Sequence, residues 1–183
     1  QDPLYIYRDE FHFPKMANGD DYIYLCGNSL GLQPKRTHEA IHQELKDWAM
    51  LGVEGHFEAQ NPWLPYHETV THSLAHLVGA KPEEVVAMNS LTVNLHILMA
   101  SFYRPTKQRY KILIEGNAFP SDQYAVASQA RFHSKNVGFD PSKAILEVFP
   151  RVGESIIRTE DILQTIEDHK DSLALVMLGG VNY

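Results

Sequence analysis

The chain has 183 residues, of which 44% are hydrophobic, so a packed globular core is expected rather than a disordered chain. Its 16 basic and 23 acidic residues give a formal charge of −7, which argues against a nucleic-acid partner because phosphates require a cationic surface. Cys26 is the only cysteine, which excludes an internal disulfide, and we find neither a signal peptide nor a span long enough to cross a membrane. These features predict a cytoplasmic protein without membrane contact.

The first part of the chain is predicted to consist of helices and loops. A turn-rich loop over residues 27–34 leads into a helix from about Lys35 to Leu51, with Gly52 suited to its C-terminal cap. The apolar residues that recur at helical spacing, and so predict this helix, are Ile41, Leu45 and Trp48. A second helix is predicted over residues 66–78, ending at Gly79.

From Lys81 onward, predicted strands alternate with predicted helices. The strands are residues 84–88, 110–115, 144–149 and 172–178, and the helices are residues 92–103, 122–133 and 160–169, the last with Thr159 as its cap. This alternation predicts an α/β fold with a mainly parallel sheet covered by helices. The last strand is an unusual place for a chain to stop, so we expect the sequence to be truncated. In such sheets ligands bind beyond the C-terminal ends of the strands.

Two of the strand-to-helix loops carry unusual residues. Residues 89–92 lead into an apolar helix whose free N–H groups suit a phosphate, although on this spacing alone Ser90 as a simple helix cap is the favoured explanation. In residues 117–122, Pro120 forces Phe119 to be extended and places Asp122 near a helix start. A flat ring beside a carboxylate suits a cofactor with a protonated aromatic nitrogen, but a core aromatic residue and a helix cap are the simpler alternative.

A third pattern, His38-Glu-Ala-Ile-His42, matches the H-E-x-x-H motif of zinc peptidases. No third ligand stands out, and a catalytic zinc requires one. The predicted helix is also rich in residues expected at the surface, namely Lys35, Arg36, Glu39, Gln43, Glu44, Lys46 and Asp47. We therefore expect no metal site, and the zinc peptidase remains an alternative of another class.

Several motifs, taken together and in order, resemble kynureninases over nearly the whole chain, from about Ile23 to Tyr183. They are Gly27-Asn-Ser-Leu-Gly-Leu-Gln-Pro34, Gly55-His56, Pro62-Trp63, Leu91-Thr-Val-Asn-Leu-His96, Arg109-Tyr-Lys-Ile-Leu113 and Phe119-Pro-Ser-Asp122. The resemblance implies the type I fold of pyridoxal-phosphate enzymes and a homodimer. It implies that residues 1–60 form an N-terminal segment contributing to the small domain and interface, and residues 61–183 the first half of the large cofactor domain.

The resemblance also implies roles for individual residues. Cofactor-binding positions correspond to Leu91, Thr92, Phe119, Pro120, Ser121 and Asp122, with Leu91 and Thr92 at the phosphate, Phe119 stacked on the pyridine ring and Asp122 near its nitrogen. Substrate-binding positions correspond to His56, near the aryl ring of the substrate, and Ser29. The cofactor is pyridoxal 5'-phosphate and the small-molecule substrate is L-kynurenine or 3-hydroxykynurenine, which would yield anthranilate or 3-hydroxyanthranilate and L-alanine.

The lysine that carries the cofactor in this family would lie beyond Tyr183, and none of the lysines present stands in its motif. The resemblance therefore implies no catalytic residue in these 183 residues, and we expect the chain alone to be inactive. Another type I pyridoxal-phosphate enzyme, such as a cysteine desulfurase or an aminotransferase, is the alternative within the same fold. Gly55-His56 and the 27–34 loop favour kynureninase over both.

Overall fold

The computed structural model describes residues 2–180. The chain divides into two compact units, Gln1–Ala87 and Met88–Tyr183. No helix among the described residues is long and apolar enough to span a membrane. The division falls in a different place from the predicted boundary at residue 60. That boundary concerns the domains of a complete enzyme and stays a prediction.

The first unit consists of helices and loops. Its α-helices are α1 (Thr37–Leu51), α2 (Gly55–Glu58) and α3 (Thr71–Val78), and its 3-10 helices are Tyr5–Glu10, Gly52–Glu54, Tyr66–Val70 and Pro82–Glu84. Gly52 and Gly79 follow α1 and α3 with positive φ of 55° and 69°, a conformation that glycine adopts without strain. The predicted C-terminal ends of both helices are confirmed, whereas the second α-helix begins at Thr71 after a 3-10 helix rather than at residue 66.

One residue of α1 that was expected at the surface, Asp47, is instead buried. The apolar residues Ile41, Leu45 and Trp48 of α1 are 57%, 54% and 66% exposed, whereas Asp47 is only 9% exposed. The Asp47 carboxylate accepts hydrogen bonds from Gln43 Nε2 at 2.9 Å and from the backbone N–H of Gln60 at 3.1 Å. Because these bonds satisfy the charge, the polar side of α1 packs on the loop that follows it.

The strand predicted over residues 84–88 is also wrong. A 3-10 helix, Pro82–Glu84, occupies its start, Val85 is extended, and residues 85–88 belong to no strand. Glu84 Oε2 accepts a hydrogen bond from the backbone N–H of Lys81 at 2.9 Å, which closes this turn. A short apolar run preceded by proline and acidic residues can therefore fold as a capped turn.

The second unit is the predicted α/β structure. Within the described residues its strands are β1 (Lys111–Glu115), β2 (Ile145–Val148) and β3 (Leu173–Met177), which form one parallel sheet in the order β2-β1-β3. Its α-helices are α4 (Leu91–Phe102), α5 (Pro120–Val137) and α6 (Thr159–Asp168), and Pro141–Lys143 is a 3-10 helix. The predicted cap at Thr159 is wrong, because Thr159 is the first helical residue and Arg158 occupies the N-cap position.

The core of this unit lies between β1 and the helices α4 and α5. Its buried residues are Met99, Tyr103, Ile112, Ile114 and Val126. Leu113 points to the opposite face of β1 and is also fully buried, as expected for the central strand of a covered parallel sheet. Since β1 is fixed on both faces and by both neighbouring strands, its C-terminal end is a rigid support for the loop that follows it.

Candidate functional site

A cavity of about 260 Å³ opens at the C-terminal ends of β1 and β3. The first residue of α4, Leu91, and the first turn of α5 border it, together with mainly apolar residues of the sheet and of α4. Among the predicted cofactor residues, the structure brings Leu91, Phe119 and Asp122 to this one cavity. Such a position, beyond the carboxyl ends of parallel strands, is where α/β proteins usually bind ligands.

The loop before α4 is held in one conformation by asparagine side chains. Asn89 has a φ of 49°, in the left-handed region that asparagine tolerates better than most residues. Asn94 Nδ2 donates a hydrogen bond to the Met88 carbonyl oxygen at 2.8 Å, and Asn89 Nδ2 donates to Asn94 Oδ1 at 3.2 Å. Asn94 also lines the cavity. One side chain therefore both fixes the loop and borders the candidate site.

The start of α4 leaves backbone donors available. Ser90 occupies the N-cap position with extended backbone, and its carbonyl accepts the first helical hydrogen bond, from the Asn94 N–H at 2.9 Å. The Ser90 hydroxyl makes no capping hydrogen bond, so the simple cap considered above is not formed. The N–H groups of Leu91, Thr92 and Val93 thus lack intrahelical partners and lie at the positive end of the α4 dipole.

The loop before α5 is equally well defined. Gly116 is buried, and a Cβ there would lie 2.3 Å from the Phe149 ring, so only glycine allows this ring to pack on the end of β1. Asn117 has a φ of 57°. Phe119 is extended, with φ −53° and ψ 135°, as the proline after it requires. Gln123 Nε2 donates to the Ala118 carbonyl oxygen at 2.5 Å and ties the loop to the helix.

Phe119 and Asp122 occupy adjacent parts of this site. Phe119 is 51% exposed, which is unusual for a phenylalanine that serves only as core packing. Asp122 lies in the first turn of α5, where the helix dipole favours a negative charge. Its carboxylate, half-buried, has no hydrogen-bond or ion-pair partner among residues 2–180. An aromatic ring and an available carboxylate therefore meet at one cavity.

The remaining predicted cofactor residues lie beside the cavity. Thr92 is the second residue of α4, and Pro120 and Ser121 are the first two residues of α5. Their side chains are not among those that line the cavity. Their backbone belongs to the same helix starts, so their predicted roles stay predictions.

The predicted substrate residues, His56 and Ser29, lie in the first unit. Ser29 is exposed in a turn and its N–H donates to the Cys26 carbonyl at 2.9 Å. His56 is the second residue of α2, and its ring meets the Trp63 indole edge-on, with centroids 5.5 Å apart and planes at 89°. The roles of both residues toward a substrate stay predictions.

His38 and His42 lie on the exposed surface of α1, one turn apart. Within the described part of the chain, no group of three or more histidine, cysteine, aspartate or glutamate residues is arranged to hold a metal ion. The histidine pair therefore has no third protein ligand among those residues.

A parallel sheet covered by helices, with a cavity between two helix starts at its strand ends, defines an α/β protein. No protein-family model matches the chain. Over all of its residues, however, it is 62% identical to a kynureninase of Myxococcus xanthus and 58% identical to one of Koribacter versatilis. A kynureninase of Nematostella vectensis is 53% identical over an alignment that also covers the whole chain.

The chain thus resembles kynureninases over all of its residues, as its motifs predicted. It spans about 42% of the length of the two bacterial relatives and about 41% of the Nematostella vectensis relative. Sequence identities this high, in alignments that cover the whole chain, favour kynureninase over the cysteine desulfurase, aminotransferase and zinc peptidase alternatives.

Proposed function

We propose that these residues supply part of a kynureninase that binds pyridoxal 5'-phosphate. The whole enzyme would hydrolyse L-kynurenine or 3-hydroxykynurenine to anthranilate or 3-hydroxyanthranilate and L-alanine, in tryptophan catabolism and pyridine nucleotide biosynthesis. One observation carries the cofactor assignment: Leu91, at the start of α4, and Phe119 and Asp122, at the start of α5, line the same cavity. The sequence similarity to kynureninases supports the choice of substrate.

The residues at the start of α4 fit a phosphate group. The N–H groups of Leu91 and Thr92 would donate to its oxygens, because neither has an intrahelical acceptor. The dipole of α4, which has 12 residues, adds favourable electrostatics. The Thr92 hydroxyl provides a further donor at the same position. Together these groups would hold the cofactor by its phosphate and set the depth at which its ring lies.

Phe119 and Asp122 fit the aromatic ring of the cofactor. The Phe119 ring would stack on it, and the Asp122 carboxylate would accept a hydrogen bond from its ring N–H and keep that nitrogen protonated. When bound, the cofactor withdraws electrons from the substrate and so allows its carbon–carbon bond to be hydrolysed. Pro120 and Ser121 would keep Phe119 and Asp122 in register across the first turn of α5.

The assembly that we propose is that of the type I fold, with residues 1–60 contributing to a small domain and interface and residues 61–183 to the large domain. A homodimer is supported by α1, whose exposed Ile41, Leu45 and Trp48 form an apolar surface suited to burial against another protein surface. Ser29 and His56 are proposed to contact the substrate. The lysine that carries the cofactor is proposed to lie in the part of the enzyme outside these residues.

Replacing Asp122 tests this assignment. In a full-length kynureninase that contains these 183 residues, Asp122→Ala should raise the dissociation constant for the cofactor at least about tenfold, since a charge-assisted hydrogen bond is lost. Asp122→Asn should lower kcat, because an amide cannot hold the ring nitrogen protonated. Asp171→Asn, at an exposed aspartate before β3, is the matched control. Cofactor binding and turnover at the level of the control in both Asp122 variants would contradict the assignment.

A further inference from the structure

The loop that carries His56 is held by the side chains of α1. Glu44 Oε2 accepts a hydrogen bond from Trp63 Nε1 at 2.8 Å, and Glu44 Oε1 accepts one from Asn61 Nδ2 at 2.8 Å. Asp47 Oδ2 accepts one from the backbone N–H of Gln60 at 3.1 Å. Acidic residues one turn apart on α1 thus fasten three positions of one loop.

Trp63 transmits this attachment to His56. The indole lies against buried Gly55, where a Cβ would come within 2.5 Å of the ring, so glycine is required for this packing. The imidazole of His56 meets the indole edge-on, at 5.5 Å between centroids. The backbone N–H of Leu64 donates to the His56 carbonyl at 3.2 Å. His56 is therefore held by the loop on both its backbone and its ring.

We infer that Glu44 is a positioning residue that sets the orientation of the His56 imidazole through Trp63, and thereby the binding of the aryl ring of the substrate. The inference rests on the proposed function, because it takes His56 as a substrate contact. Aryl recognition is sensitive to ring orientation, since edge-to-face and stacked contacts have narrow geometries. The Glu44–Trp63 bond joins an ionised acceptor to a half-buried donor, which makes it one of the stronger kinds of hydrogen bond.

The test compares variants of a full-length kynureninase that contains these 183 residues. Glu44→Ala and Trp63→Phe should each raise KM for kynurenine and the dissociation constant for anthranilate, measured by its fluorescence, by roughly tenfold. Both variants should keep the cofactor affinity of the parent. The double variant should lose no more than the larger single effect, because both changes break the same bond.

Two further variants make the result specific. Glu44→Gln should restore most of the affinity, because an amide oxygen can still accept from the indole N–H. Glu39→Ala is the matched control, since Glu39 is an exposed glutamate of the same helix without a side-chain partner among the described residues. Its KM should equal that of the parent. Alanine favours helix at either position, so α1 should persist in both variants.

The outcomes separate this inference from the proposed function. His56→Ala should raise KM by at least as much as Glu44→Ala. If His56→Ala raises KM while Glu44→Ala leaves it unchanged, the inference is wrong and the role of His56 stands. If His56→Ala has no effect, the substrate role of His56 and the inference with it are refuted. A loss of cofactor affinity in Glu44→Ala equal to the change in KM shows a general structural effect and overturns the inference.

Discussion

Removing the Asn94 side chain should weaken cofactor binding without unfolding the protein. Asn94 makes two side-chain hydrogen bonds, to the Met88 carbonyl and with the Asn89 amide, and both hold the loop that leads into α4. Asn89 is in the left-handed region, which costs free energy unless other contacts compensate for it. In Asn94→Ala the loop should therefore leave this conformation for part of the time.

The size of the effect follows from the two bonds. A neutral hydrogen bond contributes about 0.5–1.5 kcal/mol net, so their loss removes about 1–3 kcal/mol from the stability of the loop conformation. If the phosphate binds only to this conformation, the dissociation constant for the cofactor should rise by up to about a hundredfold. Asn94→Asp should bind more weakly still, because its carboxylate brings a negative charge to the phosphate site.

The assay is a spectrophotometric titration of full-length apoenzyme with pyridoxal 5'-phosphate, with thermal unfolding measured in parallel. Asn136→Ala, at an exposed asparagine in the last turn of α5, is the matched control. The midpoint of unfolding of the apoenzyme should shift little in both variants. A cofactor dissociation constant in Asn94→Ala equal to that of the control would show that the loop does not depend on Asn94, and would refute the reasoning.

Three other properties can be tested. Tyr103 is buried, which raises its pKa to about 12, and its hydroxyl donates to the Tyr110 carbonyl at 2.7 Å. Tyr103→Phe should cost about 1–3 kcal/mol in urea unfolding. Because the pKa of Tyr103 in the folded state is raised from 10 to about 12, the parent should lose stability as pH rises from 10 to 12. Tyr103→Phe should not show this loss. Equal pH profiles of the two proteins would contradict the burial of the hydroxyl. The hydrogen bond from Arg151 lowers the pKa of Asp161. This pair therefore stabilises the folded state above the ordinary aspartate pKa of about 3.9, and the stabilisation is lost as pH falls below that value. In Arg151→Gln the pKa of Asp161 should rise in a carbon-13 NMR titration, and an unchanged value would count against the pair. Finally, metal analysis should find no stoichiometric zinc, and His38→Ala should leave the unfolding midpoint unchanged, whereas zinc lost on that substitution would revive the peptidase alternative.

The parts of the fold that the sequence predicted correctly depend on local signals. The strands β1, β2 and β3 are short apolar runs bounded by turns, and each was predicted to within about two residues. The extended Phe119 follows from the proline after it, which acts through a steric clash between neighbours. Gly79 ends its helix in the left-handed conformation for the same kind of local reason.

The errors arose where contacts distant in sequence decide the structure. The burial of Asp47 could not be predicted from its residue type, because it depends on α1 packing its polar side on residues 60–63. Glu44 and Trp63 are 19 positions apart, and neither residue type alone predicts the pairing. The signal that sequence reasoning missed was asparagine before a helix: Asn89 and Asn117 both adopt positive φ, which this residue favours.

The most direct test of the account is a crystal structure of a full-length kynureninase containing these residues with pyridoxal 5'-phosphate bound. The account predicts the phosphate within hydrogen-bond distance of the N–H groups of Leu91 and Thr92. It also predicts the ring stacked on Phe119 and the ring nitrogen facing the Asp122 carboxylate. A cofactor bound away from the cavity between α4 and α5, or with its ring nitrogen turned from Asp122, would contradict it.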